Sequence, residues 1–207
     1  MDRMKQAGIG IAVAAFWWFL LFSPWTAPYI PFWIGMSTAA LCLFATAYYS
    51  RAQWCFGLNW SWKQFGLGVA IAAALWGVFW LGDKISQLLF DFARPQVDLI
   101  YGMKDQSQSW VIALELLLLI GPAEELFWRG FIQQRFAERI SPTMAWLVTA
   151  AIYTLVHLWS FNFMLIMSAL VAGALWGLLY RLRPEWLPAL VISHALWDVA
   201  AFVVFPI

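Results

Sequence analysis

Seven apolar stretches, each near the length of a bilayer crossing, dominate this chain and constrain what it can fold into. They run over roughly 7–23, 31–49, 65–82, 109–128, 142–159, 163–180 and 186–205. A transmembrane helix needs about 20 mostly apolar residues. In hydrocarbon, backbone polar groups must be satisfied within the segment, so such runs fold as helices. Of the 207 residues, 64% are hydrophobic and only 11% charged, far from the balance of a soluble domain. The expectation is an all-α, polytopic transmembrane bundle of seven or eight helices, forming a single membrane-embedded domain over 1–207. Net charge is +1, which gives no case for nucleic acid as a partner. Cys42 and Cys55 are too few for a disulfide framework and fit no metal spacing; one reads as a buried thiol, the other as a loop thiol.

Punctuation and charge agree with this division. The N-terminal Met-Asp-Arg-Met-Lys and its apolar run lack a small-x-small cleavage site, so the run reads as a retained first helix rather than a signal peptide. Pro24, Pro28 and Pro31 break the first loop, while Pro142, Pro184 and Pro188 stand where helices begin. Ser141 reads as a cap for the helix that follows it. Residues 83–106 form the only long polar connection and read as a place for an interfacial amphipathic helix through Ile85, Leu88, Leu89 and Phe92. The segment from Arg129 to Arg139 is basic and reads as an amphipathic continuation out of the membrane. With the N-terminus in the cytoplasm, nine Lys and Arg fall on the inner side and three (Lys84, Arg94, Lys104) on the outer, as the positive-inside rule asks.

Against this background the acids and histidines stand out. Ionisable groups inside a bilayer are costly and mark working sites. Glu124 and Glu125 are adjacent in the fourth stretch, His157 ends the fifth, and His194 and Asp198 lie four apart in the seventh. Glu125 and Arg129, at i, i+4, form a helical ion pair that holds the carboxylate. Glu124, turned about 100° away, faces a cavity. Glu124 lies 17 residues before the Ser141 turn and His157 lies 16 after it, so on antiparallel helices both reach a similar depth. Glu115, also intramembrane, reads as structural or as part of a water path; Ser160 and Asn162 read as loop residues, and Ser193 as pointing away from its neighbour His194.

Two chemistries suit this set. In one, Glu124 with His157 deprotonates a water that attacks a carbonyl, while His194 and Asp198 stabilise the oxyanion. In the other, Glu124, His157 and His194 hold a zinc ion. Residue spacing leaves both open. No His-Glu-x-x-His and no Gly-x-Ser-x-Gly stretch is present.

At these residues the chain resembles the CAAX protease and bacteriocin-processing family of intramembrane proteases. That pattern is Glu-Glu-x-x-x-Arg, Phe-x-x-x-His and His-x-x-x-Asn or Asp. It corresponds here to Glu124-Glu125-Leu-Phe-Trp-Arg129, Tyr153-Thr-Leu-Val-His157 and His194-Ala-Leu-Trp-Asp198. Tyr153 replaces Phe, and the third motif ends in Asp, which when ionised cannot donate. The resemblance covers about 107–205 as a catalytic core. It implies a membrane peptidase with Glu124 as general base, His157 as its partner, and His194 with Asp198 at the oxyanion, of the glutamate type rather than the metal type. It further implies a membrane-anchored protein or hydrophobic peptide as substrate, and residence as a multi-pass protein of a bacterial or archaeal inner membrane. The competing expectation is a proton-coupled transporter, immunity or scaffold factor on the same fold. Internal repeat symmetry, usual in transporters, is not evident.

Overall fold

The computed structural model describes residues 3–207; Met1 and Asp2, the start of the stretch weighed as a signal peptide, lie outside it. Among the described residues there are eight helices and no strand. They are α1 (Arg3–Phe22), α2 (Phe32–Tyr49), α3 (Trp62–Leu89), α4 (Ala93–Tyr101), a composite α5, α6 (Pro142–Val156), α7 (Phe163–Leu182) and α8 (Leu187–Val199). Six of these segments are long and apolar enough to cross a membrane: Arg3–Phe22, Phe32–Tyr49, Trp62–Leu89, Pro142–Ser160, Phe163–Leu182 and Pro184–Val204. The remaining expected span, 109–128, lies inside α5.

Helix α5 is one uninterrupted run of five segments. The α-helical pieces Ser109–Glu115, Gly121–Phe127 and Gln134–Ala137 alternate with π-helical Leu116–Ile120 and Trp128–Gln133. Pro122 gives a local reason for the first π turn. It has no N–H to donate, and its ring clashes with the carbonyl four residues earlier in a regular α-helix. Widening the preceding turn relieves both problems, and such turns recur at functional sites. The short piece that carries Glu124 and Glu125 is thus bracketed by two register changes.

The expected helix starts are realised by side chains. Ser141 Oγ accepts from Met144 N (3.2 Å), and Pro142 follows it in the first turn. Ser61 Oγ accepts from Gln64 N (3.2 Å) to start α3. Asn162, expected as a plain loop residue, caps α7 by accepting from Leu165 N (2.9 Å) and donates its amide to Gln96 O.

One expectation requires correction and a second is sharpened. Ile85, Leu88 and Leu89 do not form a separate interfacial helix: α3 continues unbroken through them to Leu89, and the amphipathic helix is α4. The stretch after Arg129 does continue as a helix, to Ala137, but its first turns face inward. Trp128 through Gln133 are buried, and Arg135 donates to the carbonyls of Ser50 (2.9 Å) and Arg51 (3.0 Å). Its Phe131 and Ile132 belong to the core, so exposure begins only beyond Phe136.

The loops gather at two ends. Arg3 pairs with Glu138 (3.2 Å), and Gln64 donates to Glu185 O (2.9 Å), so the first turns of α1, α3 and α8 share an end with the last turn of α5. At the other end, Gln106 accepts from Phe32 N, Trp33 donates to Met103 O, and Gln96 contacts Asn162 and Met164. The sequence between 83 and 106 therefore covers one mouth of the bundle.

Candidate active site

All eight helices contribute to the lining of a cavity of about 610 Å3, and its walls include Glu124, Tyr153, His157, Trp176, His194 and Asp198. Helix α5 reaches α8 at Gly121. A Cβ there would lie 2.8 Å from Ala195 Cα and 2.9 Å from Ala195 N, so only glycine permits this approach. It brings the carboxylates three and four residues on against His194.

Glu125 is the junction of the polar core. Its Oε1 accepts from Arg129 Nη1 (2.8 Å) and faces His194 Nδ1 at 3.0 Å. All three side chains are at most 5% exposed. Arg129 also donates to the carbonyls of Ala172 (3.4 Å) and Gly173 (3.3 Å) in α7. Its guanidinium lies over the rings of Tyr153 and Trp176, at 5.2 and 5.6 Å from their centroids. The expected Glu125–Arg129 pair is therefore present and does more than fix one helix: it ties α5 to α7 and α8.

His194 is held on three sides. Since Nδ1 faces a carboxylate, which only accepts, that nitrogen carries the proton. Nε2 lies 3.5 Å from Asp198 Oδ2, within ion-pair range but at the outer limit of a hydrogen bond. Trp176 stacks flat on the imidazole, with centroids 4.0 Å apart and planes 20° apart. The indole is itself anchored by donating to Ser193 Oγ (3.1 Å), so Ser193, as expected, points away from the chemistry.

Glu124 lies on the cavity side. Tyr153 Oη donates to its Oε2 at 3.1 Å, and its charged neighbours are His194, Arg129 and Glu125. Tyr153 is wedged against Gly173, where a Cβ would come within 2.8 Å of the ring.

His157 shares the cavity wall but is not hydrogen-bonded to Glu124. Trp18 Nε1 donates to His157 Nε2 (2.9 Å), and Nδ1 lies 2.7 Å from Tyr153 O. Indole nitrogen only donates and carbonyl oxygen only accepts, so the proton is on Nδ1 and both ring nitrogens are engaged. Glu124 and His157 both line the cavity, but the residue bonded to Glu124 is Tyr153, one turn earlier on the same helix as His157. The physical reason is that both His157 ring nitrogens are already engaged, while the longer Tyr153 side chain carries its hydroxyl to the carboxylate.

Sequence reading missed Trp18, Trp176 and the direct hydrogen bond from Tyr153. Tyr153 had a signal, since it precedes His157 by four and so shares its helix face. Trp18 and Trp176 had none among sixteen tryptophans.

The three residues weighed as zinc ligands do not converge. Among the described residues no group of three His, Cys, Asp or Glu side chains could hold a metal ion, and His157 has no free nitrogen. This arrangement of donors does not fit a zinc site.

Residues 106–200, a little under half of the chain, match the family model described as type II CAAX prenyl endopeptidase Rce1-like. That match agrees with the resemblance to the CAAX protease and bacteriocin-processing family drawn from the three motifs. The match supports a CAAX-type intramembrane protease in general terms, and with the apolar helices it supports a multi-pass membrane protein with a membrane-associated substrate. No curated protein matches the chain. No solved structure matches it either.

Proposed function

We propose that the chain is an intramembrane endopeptidase that hydrolyses a peptide bond of a membrane-anchored protein or hydrophobic peptide with a water activated by Glu124. The observation that supports this reading is that Glu124, His157, His194 and Asp198, drawn from three helices, all line one cavity. Tyr153 holds Oε2 of Glu124, which leaves Oε1 to take the proton of a water. The hydroxide then attacks the scissile carbonyl, and the negative charge passes to the carbonyl oxygen.

His194 is the oxyanion partner as an imidazolium, with Nδ1–H on Glu125 and Nε2–H free to turn from Asp198 to the developing negative charge. Glu125 fixes its Nδ1, Trp176 fixes its plane, and Asp198 holds the Nε2 side toward the cavity. The proton on Glu124 passes to the departing amine, which restores the carboxylate. His157, with both ring nitrogens engaged by Trp18 and the Tyr153 carbonyl, forms part of the cavity wall, and no proton transfer is assigned to it. The mechanism is of the glutamate type, with no step assigned to a metal.

The test is peptidase activity of purified protein in lipid nanodiscs on quenched hydrophobic peptides. Glu124→Ala is expected to lower kcat by at least about 100-fold, the scale of a general base. Full activity in that variant would remove the proposal.

A further inference from the structure

Asp83 lies in α3, outside the stretch that matches the family model, and sequence reading left it in the polar connection. The structure puts it on the cavity wall, on one helical stripe with Val78, Phe79, Gly82 and Ser86. Its side chain is 5% exposed. Oδ2 is fully engaged: Gln87 Nε2 donates to it (2.5 Å), and Lys84 Nζ approaches to 3.3 Å from the exposed side. Oδ1 is buried with no partner among the described residues. A buried carboxylate oxygen without a donor is costly and calls for one.

The surroundings say what kind of donor. Among the described residues lining the cavity the acidic side chains are Asp83, Glu124 and Asp198, and no lysine or arginine is part of the lining; Lys84 and Arg129 approach two of them from behind the wall. Such a wall attracts a cation and disfavours an anion. Helix geometry places it near the proposed chemistry. Phe79 packs on Trp197, 4.5 Å between ring centroids, beside Asp198. Asp83 is one α turn, about 6 Å, further along α3. Extended peptide advances about 3.3 Å per residue, so a side chain one to three positions from the scissile bond reaches it.

We propose that Asp83 is a specificity-determining acid that receives a lysine or arginine side chain of the substrate peptide on Oδ1. This rests on the peptidase reading for its reference point, the scissile bond, but the binding site is testable without turnover. Two fluorescein-labelled hydrophobic peptides, identical except for lysine or the neutral isostere norleucine at one central position, are titrated against Glu124→Gln protein in nanodiscs by fluorescence anisotropy. The lysine peptide is expected to bind about tenfold tighter or better, the scale of one buried charged pair.

Adding Asp83→Asn is expected to bring the two peptides to equal affinity, and Asp83→Lys to favour a glutamate peptide instead. The charge reversal guards against a variant that has merely loosened, because damage alone does not invert a preference. Equal binding of both peptides to the parent protein, or a lysine preference that survives Asp83→Asn, overturns the proposal. If the preference is present and lost as expected while wild-type protein cleaves neither peptide, Asp83 keeps its role and the peptidase reading fails.

Discussion

Glu125→Ala removes a carboxylate that is fully buried and bonded both to Arg129 Nη1 at 2.8 Å and to His194 Nδ1 at 3.0 Å. Arg129 would then keep only the long contacts to the Ala172 and Gly173 carbonyls, with Nε already unpartnered. Breaking one side of a buried ion pair costs about 3–5 kcal/mol, because the surviving charge stays in a low-dielectric site. At roughly 2–4 °C per kcal/mol for a chain of this size, melting in detergent should drop by about 6–20 °C. Arg129→Met should cost a similar amount by stranding Glu125. The double variant is the decisive sample. With both charges gone, nothing is left uncompensated except the His194 contact, so the combined loss should fall short of the sum by about 2–3 kcal/mol. Melting curves of the four proteins in one detergent close the cycle. Additivity within about 0.5 kcal/mol would refute the view that Glu125 and Arg129 act as one buried unit.

Three further outcomes follow from contacts described above. Gly121→Ala places a methyl 2.8 Å from Ala195 Cα and should cost about 1–3 kcal/mol by overpacking, with peptidase activity falling although no polar residue has changed; a wild-type melting point and rate would contradict the close α5–α8 approach. Tyr153→Phe deletes the bond to Glu124 but keeps the ring against Gly173. A stability loss of about 0.5–1.5 kcal/mol and a rate loss no larger than about tenfold are expected, whereas inactivity equal to that of Glu124→Ala would make the hydroxyl indispensable. Treatment with 1,10-phenanthroline should leave the rate unchanged; inactivation reversed by added zinc would overturn the metal-free route.

The legibility of the fold followed the physics of the bilayer. Where a segment is a straight apolar helix, its length and its cap are visible in the residues themselves, as with Ser141 before α6. Where two helices meet, the sequence supplied only a distance along an assumed straight rod. Such a rod omits Trp128–Gln133, a π segment whose cause is distributed over packing rather than written in one residue. Pro122 offered a hint of the first π turn, but nothing in Trp-Arg-Gly-Phe-Ile-Gln marks the second. Glu125–Arg129 was readable because both partners lie on one helix. Glu125–His194 was not, since it depends on how closely Gly121 lets α8 approach.

The same geometry bears on why the motif residues are adjacent at all. Neighbours on a helix point about 100° apart, so Glu124 and Glu125 cannot serve one partner. Glu125 turns into the protein and satisfies Arg129 and His194; Glu124 turns to the cavity, where Tyr153 donates to it. The inner carboxylate thereby supplies the counter-charge that lets a buried arginine and imidazole exist, and the outer one is left available for a reaction. Exchanging their environments would need the helix to rotate by a full residue, which the two flanking π turns, the Gly121 contact and the Arg129 bonds to α7 together oppose. A charge-conserving swap test is therefore informative: Glu124→Gln should spare stability and abolish turnover, and Glu125→Gln should lower both. Equal effects of the two changes on melting would contradict this division between the adjacent acids.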